Sequence, residues 1–164
     1  MLPETLHLSD MLRPGQPAPV FDLPDADMNM VKLDQFRNRR VVVLYFYPKD
    51  DTPGCTVQAC GVRDAYDRFR ERGIEIFGVS VDDADSHRSF REKFDLPFPL
   101  LVDPDGALGA AFDIEHIAPD KPLYKRSTVV IGPDGTVARA LPNVDASTHA
   151  DVVLESVGGA VTLE

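Results

Sequence analysis

The sequence predicts an α/β domain, a central mixed β-sheet with helices on both faces, and three observations carry that expectation. Residues Val41 to Tyr47 form an unbroken β-branched and aromatic run, as expected of a strand buried on both faces of a sheet. Strand-like and helix-like segments then alternate along the chain, which favours a sheet covered by helices. With 164 residues, 43% hydrophobic and 27% charged, the chain is long enough for one well-packed core and reads as a single domain over residues 1–164.

Taken in order, Pro14-Gly15-Gln16-Pro17-Ala18-Pro19 predicts an extended or turning entry segment. Val20 to Leu23 and Met28 to Val31 are expected to pair as a short hairpin around Pro24 to Asp27. After the central strand, Pro48 to Gly54 forms a loop and Cys55 stands at the start of a helix. Val62, Ala65, Tyr66 and Phe69 repeat there at i, i+3, i+4 and i+7, and Gly73 supplies the stop. Ile74 to Val81 reads as the next strand, and Asp82 and Asp83 are placed to cap a helix ending near Phe94. Pro97 to Val102 predicts a third strand, Asp105 to Phe112 a short helix, and the polar, proline-bearing stretch Ile114 to Lys125 a surface loop. Ser127 to Ile131 and Thr136 to Leu141 flank Gly132-Pro133-Asp134-Gly135, a hairpin turn signal. A last helix is expected from Ser147, as N-cap, to Val157, before Gly158-Gly159.

Composition narrows the partners. Seventeen Lys and Arg against 27 Asp and Glu give a net charge of −10, which repels phosphate backbones and anionic lipid, so no nucleic acid or membrane partner is expected. The seven-residue run Val41 to Tyr47 is far short of the ~20 residues that span a bilayer. Met1 to Arg13 has no basic start followed by an apolar core, so a cytoplasmic location is expected rather than secretion. The two cysteines, Cys55 and Cys60, are too close together to staple a fold, since a disulfide's gain grows with the loop it closes.

That leaves chemistry. A cysteine where a buried strand hands over to a helix sits in the crevice at the carboxyl end of the sheet, where ligands bind in open α/β folds. Free backbone N–H groups and the helix dipole favour a thiolate there. The competing reading is a small, inert, buried apolar residue. Cys60 lies five residues further on. On a helix that is a rotation leaving the side chains about 140° apart and ~7.5 Å offset along the axis, whereas a disulfide needs Cα atoms within ~7 Å. Either no bridge forms or the first turns of the helix unwind, which Gly61 favours weakly. Zinc fits poorly: the spacing is Cys-x4-Cys, and His7, His87, His116 and His149 show no ligand spacing.

The pattern Pro48-x-x-x-Thr52-x-x-Cys55 is that of a peroxiredoxin active site, and the stretch from Tyr47 to Asp64 closely resembles the bacterioferritin comigratory protein (PrxQ) subfamily. The resemblance runs from about Pro14 to the C-terminal helix. It implies a thioredoxin-like fold and thiol-dependent reduction of hydrogen peroxide and organic hydroperoxides by a peroxidatic Cys55. It further implies a resolving Cys60, an intramolecular disulfide and recycling by a thioredoxin-type protein reductant, with no metal, haem or flavin cofactor. The matching arginine is Arg126, just before the strand Ser127 to Ile131.

On its own an arginine beside a strand is more often a solvated surface group, but its permanent charge and rigid fork of donors suit a thiolate and a peroxide oxygen. Thr52 can cap the helix and also hydrogen-bond the peroxide. Pro48 is expected to shield Cys55 from water, and the Gly54 backbone N–H to face the substrate. The chain departs from the family pattern at Gly132, where an acidic residue is common, and over Ile114 to Lys125. A monomer is expected. Two other classes stay open: a dithiol–disulfide oxidoreductase, which normally shows Cys-x-x-Cys and has a cis-proline where this chain has Arg126, and a non-catalytic holdase on the same fold.

Overall fold

In the computed structural model, which describes residues 13–118 and 120–161, the apolar run becomes the middle of the molecule. The reading of the first twelve residues lies outside the described residues. A hairpin of β1 (Asp22–Pro24) and β2 (Met30–Lys32) leads through a 3-10 turn at Leu33–Phe36 into β3 (Val41–Phe46), every residue of which is buried. Then follow α1 (Pro53–Glu71), β4 (Ile74–Ser80), α2 (Ala84–Phe94), β5 (Leu100–Val102) and α3 (Ala107–Ala111). A hairpin of β6 (His116–Ala118) and β7 (Lys121–Tyr124), a second of β8 (Ser127–Ile131) and β9 (Val137–Leu141), and α4 (His149–Val161) complete the order.

The main sheet runs β5-β4-β3-β8-β9, with β4 parallel and β8 antiparallel to β3. The sheet is therefore mixed, as the sequence predicts. Strand alternation divides the core in two. Val41, Val43 and Tyr45 face one way, onto Cys55, Ala59, Val62 and Phe69 of α1, Phe90 of α2 and Val153 of α4. Val42, Leu44 and Phe46 face the other way, onto Phe21, Leu33, Leu108 of α3 and Tyr124. The long helices thus share one face, and the other is closed by α3, the first hairpin and the 3-10 turn. Among the described residues no helix is long and apolar enough to cross a membrane.

Several element bounds differ from expectation for local reasons. The first hairpin pairs Asp22 with Lys32, Leu23 with Val31 and Pro24 with Met30, a register that takes Pro24 out of the expected turn. The turn tightens instead over Asp25, whose carboxylate accepts from the N–H groups of Asp27 and Asn29. Of the two aspartates before α2 only Asp83 caps it, accepting from Ser86 N at 2.9 Å; Asp82 points to the loop after β3. Gly73 has φ +71 and ends α1 as expected. The last helix begins at His149 rather than at Ser147, because Asp145 ties down Ser147 N and its hydroxyl in a turn. It also runs through Gly158-Gly159 to Val161.

The largest correction concerns Ile114 to Lys125, which is not a loop but the β6–β7 hairpin. Its strands are short and mostly exposed, so their alternation barely registers in the sequence. Its ends are anchored by buried Ile114 and Tyr124. The Tyr124 hydroxyl donates to Asp103, whose carboxylate also accepts from Leu108 N at 3.1 Å and Gly109 N at 3.3 Å. This anchor matters for function because the chain reaches Arg126 two residues later. A Cβ on Gly109 would overlap the Tyr124 ring. Gly109→Ala is therefore predicted to cost about 3 kcal/mol by overpacking, measured as a drop in urea midpoint at unchanged slope.

Candidate active site

Helix α1 begins sooner than its apolar pattern predicts. Thr52 is extended (φ −95, ψ 157), Pro53 takes the first helical position, where its missing N–H costs nothing, and Cys55 is the third helical residue. The bond from Thr56 N to Thr52 O (2.8 Å) opens the helix. The N–H groups of Gly54 and Cys55 lie ahead of it, among the helix's orphan donors, and the positive end of the dipole falls on the buried Cys55 sulfur.

Arg126 arrives from the neighbouring strand β8, whose start pairs with the end of β3. It occupies the bend before β8, and its own carbonyl is held by Val144 N at 3.0 Å. Its Nη1 donates to Cys55 Sγ at 3.4 Å and to Gln58 Oε1 at 2.8 Å. Gly54 is the residue that allows this approach, since a Cβ there would meet Arg126 Nη2 at 2.8 Å. A permanent cation on the sulfur and backbone donors beside it suit a thiolate nucleophile, against the burial, which disfavours charge.

The sequence-predicted residues fare differently. Cys55, Gly54 and Arg126 are brought together. Thr52 stands at the N-cap, but its side chain makes no capping bond; its hydroxyl donates to Lys49 O at 3.0 Å. That corrects the expected cap, and it makes the hydroxyl an acceptor towards any group in the site. Pro48 is half-buried at the entrance to the loop, next to the fully buried Tyr47. Cys60 is half-buried on the same helix, and both cysteines are free thiols. Gln58 was missed, although its place three residues after Cys55 puts it on the same helical face.

Two further residues stand behind the sulfur. Tyr45 of β3 and His149 of α4 pack with ring centroids 5.1 Å apart and ring planes tilted by 55°. His149 Nε2 bonds Thr128 Oγ1 at 2.8 Å. The Tyr45 hydroxyl, Gln58 Nε2 and His149 Nδ1 are buried with no hydrogen-bond partner among the described residues. Each such group costs about 1–3 kcal/mol. Burial, then the charge of Cys55, pushes Tyr45 well above the usual tyrosine range, so it remains a neutral phenol. Burial, then the Arg126 charge, pushes His149 down to about 3, so it is a neutral imidazole at physiological pH. Periodicity assigns Tyr45 only to the core, and no spacing motif marks His149.

Comparison with known proteins agrees with this geometry. Residues 14–140 match the family model described as AhpC/TSA family. The chain belongs to the AhpC/TSA family. It is 37% identical over 147 residues to the peroxiredoxin Bcp of Bacillus subtilis, covering 87% of this chain and 93% of that one. Peroxiredoxin Q of Xanthomonas campestris superposes with a TM-score of 0.83 at 33% identity, over 94% of this chain and 100% of that one. The bacterioferritin comigratory protein of the same organism, solved in trapped intermediate and ligand complexes bearing on its alkyl peroxide reduction, gives a TM-score of 0.80 at 33% identity, over 87% and 92% of the two chains. The chain is thus a peroxiredoxin of the Bcp/PrxQ kind, a thiol-dependent peroxidase with a thioredoxin-like fold.

Two predictions come from this peroxiredoxin's geometry. Gly54→Ala displaces the guanidinium from the sulfur and slows alkylation of Cys55 at neutral pH by about tenfold, the loss of one charge-assisted hydrogen bond; rates against iodoacetamide check it. His149 binds a proton more readily unfolded than folded. Its contribution to stability is complete above its unfolded value near 6.5 and is lost as pH falls towards about 3. Urea unfolding should weaken over that window by up to about 1.4 kcal/mol per pH unit from this group. The His149→Gln variant should lack that component.

Proposed function

We propose that this peroxiredoxin reduces hydrogen peroxide and organic hydroperoxides with Cys55 as the attacking thiol and Cys60 as the resolving thiol. The observation that carries the proposal is the Arg126 guanidinium set against a buried helix-terminal cysteine, 3.4 Å from its sulfur. The alkyl peroxide activity named for the Xanthomonas relative supports the substrate class.

In this reading the Cys55 thiolate attacks one peroxide oxygen in line with the O–O bond, forming S–O and breaking O–O. The other oxygen leaves with the electron pair and takes a proton to become water or an alcohol. Arg126 and the Gly54 and Cys55 N–H groups face the developing negative charge, as preorganised donors do in an oxyanion hole. The Thr52 hydroxyl, its hydrogen committed to Lys49, accepts from the peroxide O–H and orients it. Pro48 keeps water off the entrance.

The Cys55 sulfenic acid then condenses with the Cys60 thiol, releasing water and forming the disulfide before a second peroxide drives it to sulfinic acid. The two cysteines stand five positions apart on one helix, so the start of α1 unwinds for this step. A thioredoxin-type dithiol protein returns the two electrons. The same proposal takes residues 1–164 as a single domain acting as a cytoplasmic monomer without a bound cofactor.

The test is single-turnover peroxide consumption with a sulfenate trap. Cys55→Ser consumes none, whereas Cys60→Ser consumes one equivalent and stops as the trapped sulfenate. Equal loss of the first turnover in both variants would remove the assignment.

A further inference from the structure

The loop between β3 and α1 contains a buried carboxylate that the peroxide reaction does not use. Asp50 lies two residues ahead of Thr52 and is buried. Its Oδ1 accepts from the Tyr47 hydroxyl at 2.6 Å and its Oδ2 from the Ser86 hydroxyl at 2.8 Å. His87, wholly buried in the first turn of α2, places Nδ1 2.7 Å from the same Oδ2 and Nε2 2.8 Å from the Leu101 carbonyl oxygen. A carbonyl only accepts, so Nε2 carries a hydrogen. Nδ1 and Oδ2 share the hydrogen bond between them, and the two hydroxyls donate to the same carboxylate. Burial, then the Asp50 charge, pushes Tyr47 well above the usual tyrosine range and keeps it a donor.

The backbone of the loop is held as well. Asp50 N donates to Asp82 Oδ2 at 2.8 Å, and that oxygen also accepts from the Ser80 hydroxyl at 2.7 Å. Lys93 of α2 reaches the Asp51 carboxylate at 2.9 Å. Asp50, Asp82 and His87 offer ligand-type atoms within 4.8 Å of one another, the density of a cation site. Yet each of the three is engaged with protein partners, and the His87 nitrogen facing the cluster is the one committed to Asp50. The chemistry is that of an anchor.

We propose that the Asp50–His87 pair is a positioning element for the peroxide reaction. It pins residues 48–52 to β4, α2 and β5, so that Thr52 and the first turn of α1 stay in register with Arg126. The path is short: the Lys49 carbonyl that orients the Thr52 hydroxyl is one peptide away from Asp50. The same pin fixes the chain just ahead of α1, leaving the turns that carry Cys55 and Cys60 as the part that unwinds. The inference rests on Cys55 being the attacking thiol.

Two near-isosteric variants separate positioning from bulk stability. His87→Asn puts an amide nitrogen where Nδ1 stands, keeping the bond to Asp50 and losing the one to Leu101. His87→Gln reaches the Nε2 position, keeping Leu101 and losing Asp50. Each sacrifices one buried bond and the ring, so a purely structural role lowers melting temperature and slows reaction alike in both. The anchor predicts otherwise. In a Cys60→Ser background, His87→Gln slows the first turnover with hydrogen peroxide by about tenfold, the worth of one hydrogen bond to a charged group, while His87→Asn keeps the parent rate. Equal rates in the two overturn the anchor.

Ser86→Ala withdraws a single half-exposed donor from Asp50 and stands in should His87→Gln not fold. A slowed first turnover at an unshifted melting temperature supports the anchor, and an unchanged rate overturns it. The Cys60→Ser parent is the control for the reading beneath: if it consumes no peroxide, the role of Cys55 falls and the anchor with it, whereas an active parent with indifferent variants removes the anchor alone.

Discussion

One helix holds both thiols, and its geometry sets the terms for everything else in the site. Cys55 gains its environment from being at the helix start, where orphan N–H groups, the dipole and the Arg126 guanidinium converge on the sulfur. The same helix holds Cys60 away from it. In the proposed cycle the folded helix serves attack on peroxide and holds the two thiols too far apart to bond, whereas the unwound helix lets them meet and disperses the donors. A reaction cycle that uses both thiols alternates between the two states, and the rest of the structure decides how easily.

Opposing terms act on the helix. Cys55, Ala59, Val62 and Phe69 bury one helix face against β3, which stabilises the folded form by burial of apolar surface. Against that stand the unpartnered polar atoms of Tyr45, Gln58 and His149, and Gly61 within the helix. The Asp50 cluster holds the chain just before the helix, and Phe69 near the other end is fully buried. Arg126 is held from outside the helix, through Val144 and, two residues upstream, the Tyr124–Asp103 anchor.

The central strand, the mixed sheet and the Cys55 junction were legible because each leaves a local mark: an unbroken apolar run, alternating segments, and a cysteine where the strand's loop hands over to a helix. Arg126 was legible only by resemblance, because nothing in Lys125-Arg126-Ser127 distinguishes an active-site cation from a surface one. The β6–β7 hairpin was hidden because its exposed strands are too short to show alternation. The Asp50–His87 pair was hidden for a different reason: two polar residues 37 apart carry no periodic signal, and only the packing of α2 against the loop makes them neighbours. Tyr45 and His149 are read as core and helix start from sequence, and only their burial beside the sulfur gives them meaning for the site.

Amide hydrogen exchange on the reduced and the oxidised protein tests the helix claim most directly, with the Cys55–Cys60 bridge confirmed by peptide mass. Residues from Thr52 to about Arg63 should lose protection on oxidation while β3 keeps it, as expected of local opening within a stable core. An oxidised protein that contains the bridge and yet keeps reduced-state protection throughout that segment would contradict the account.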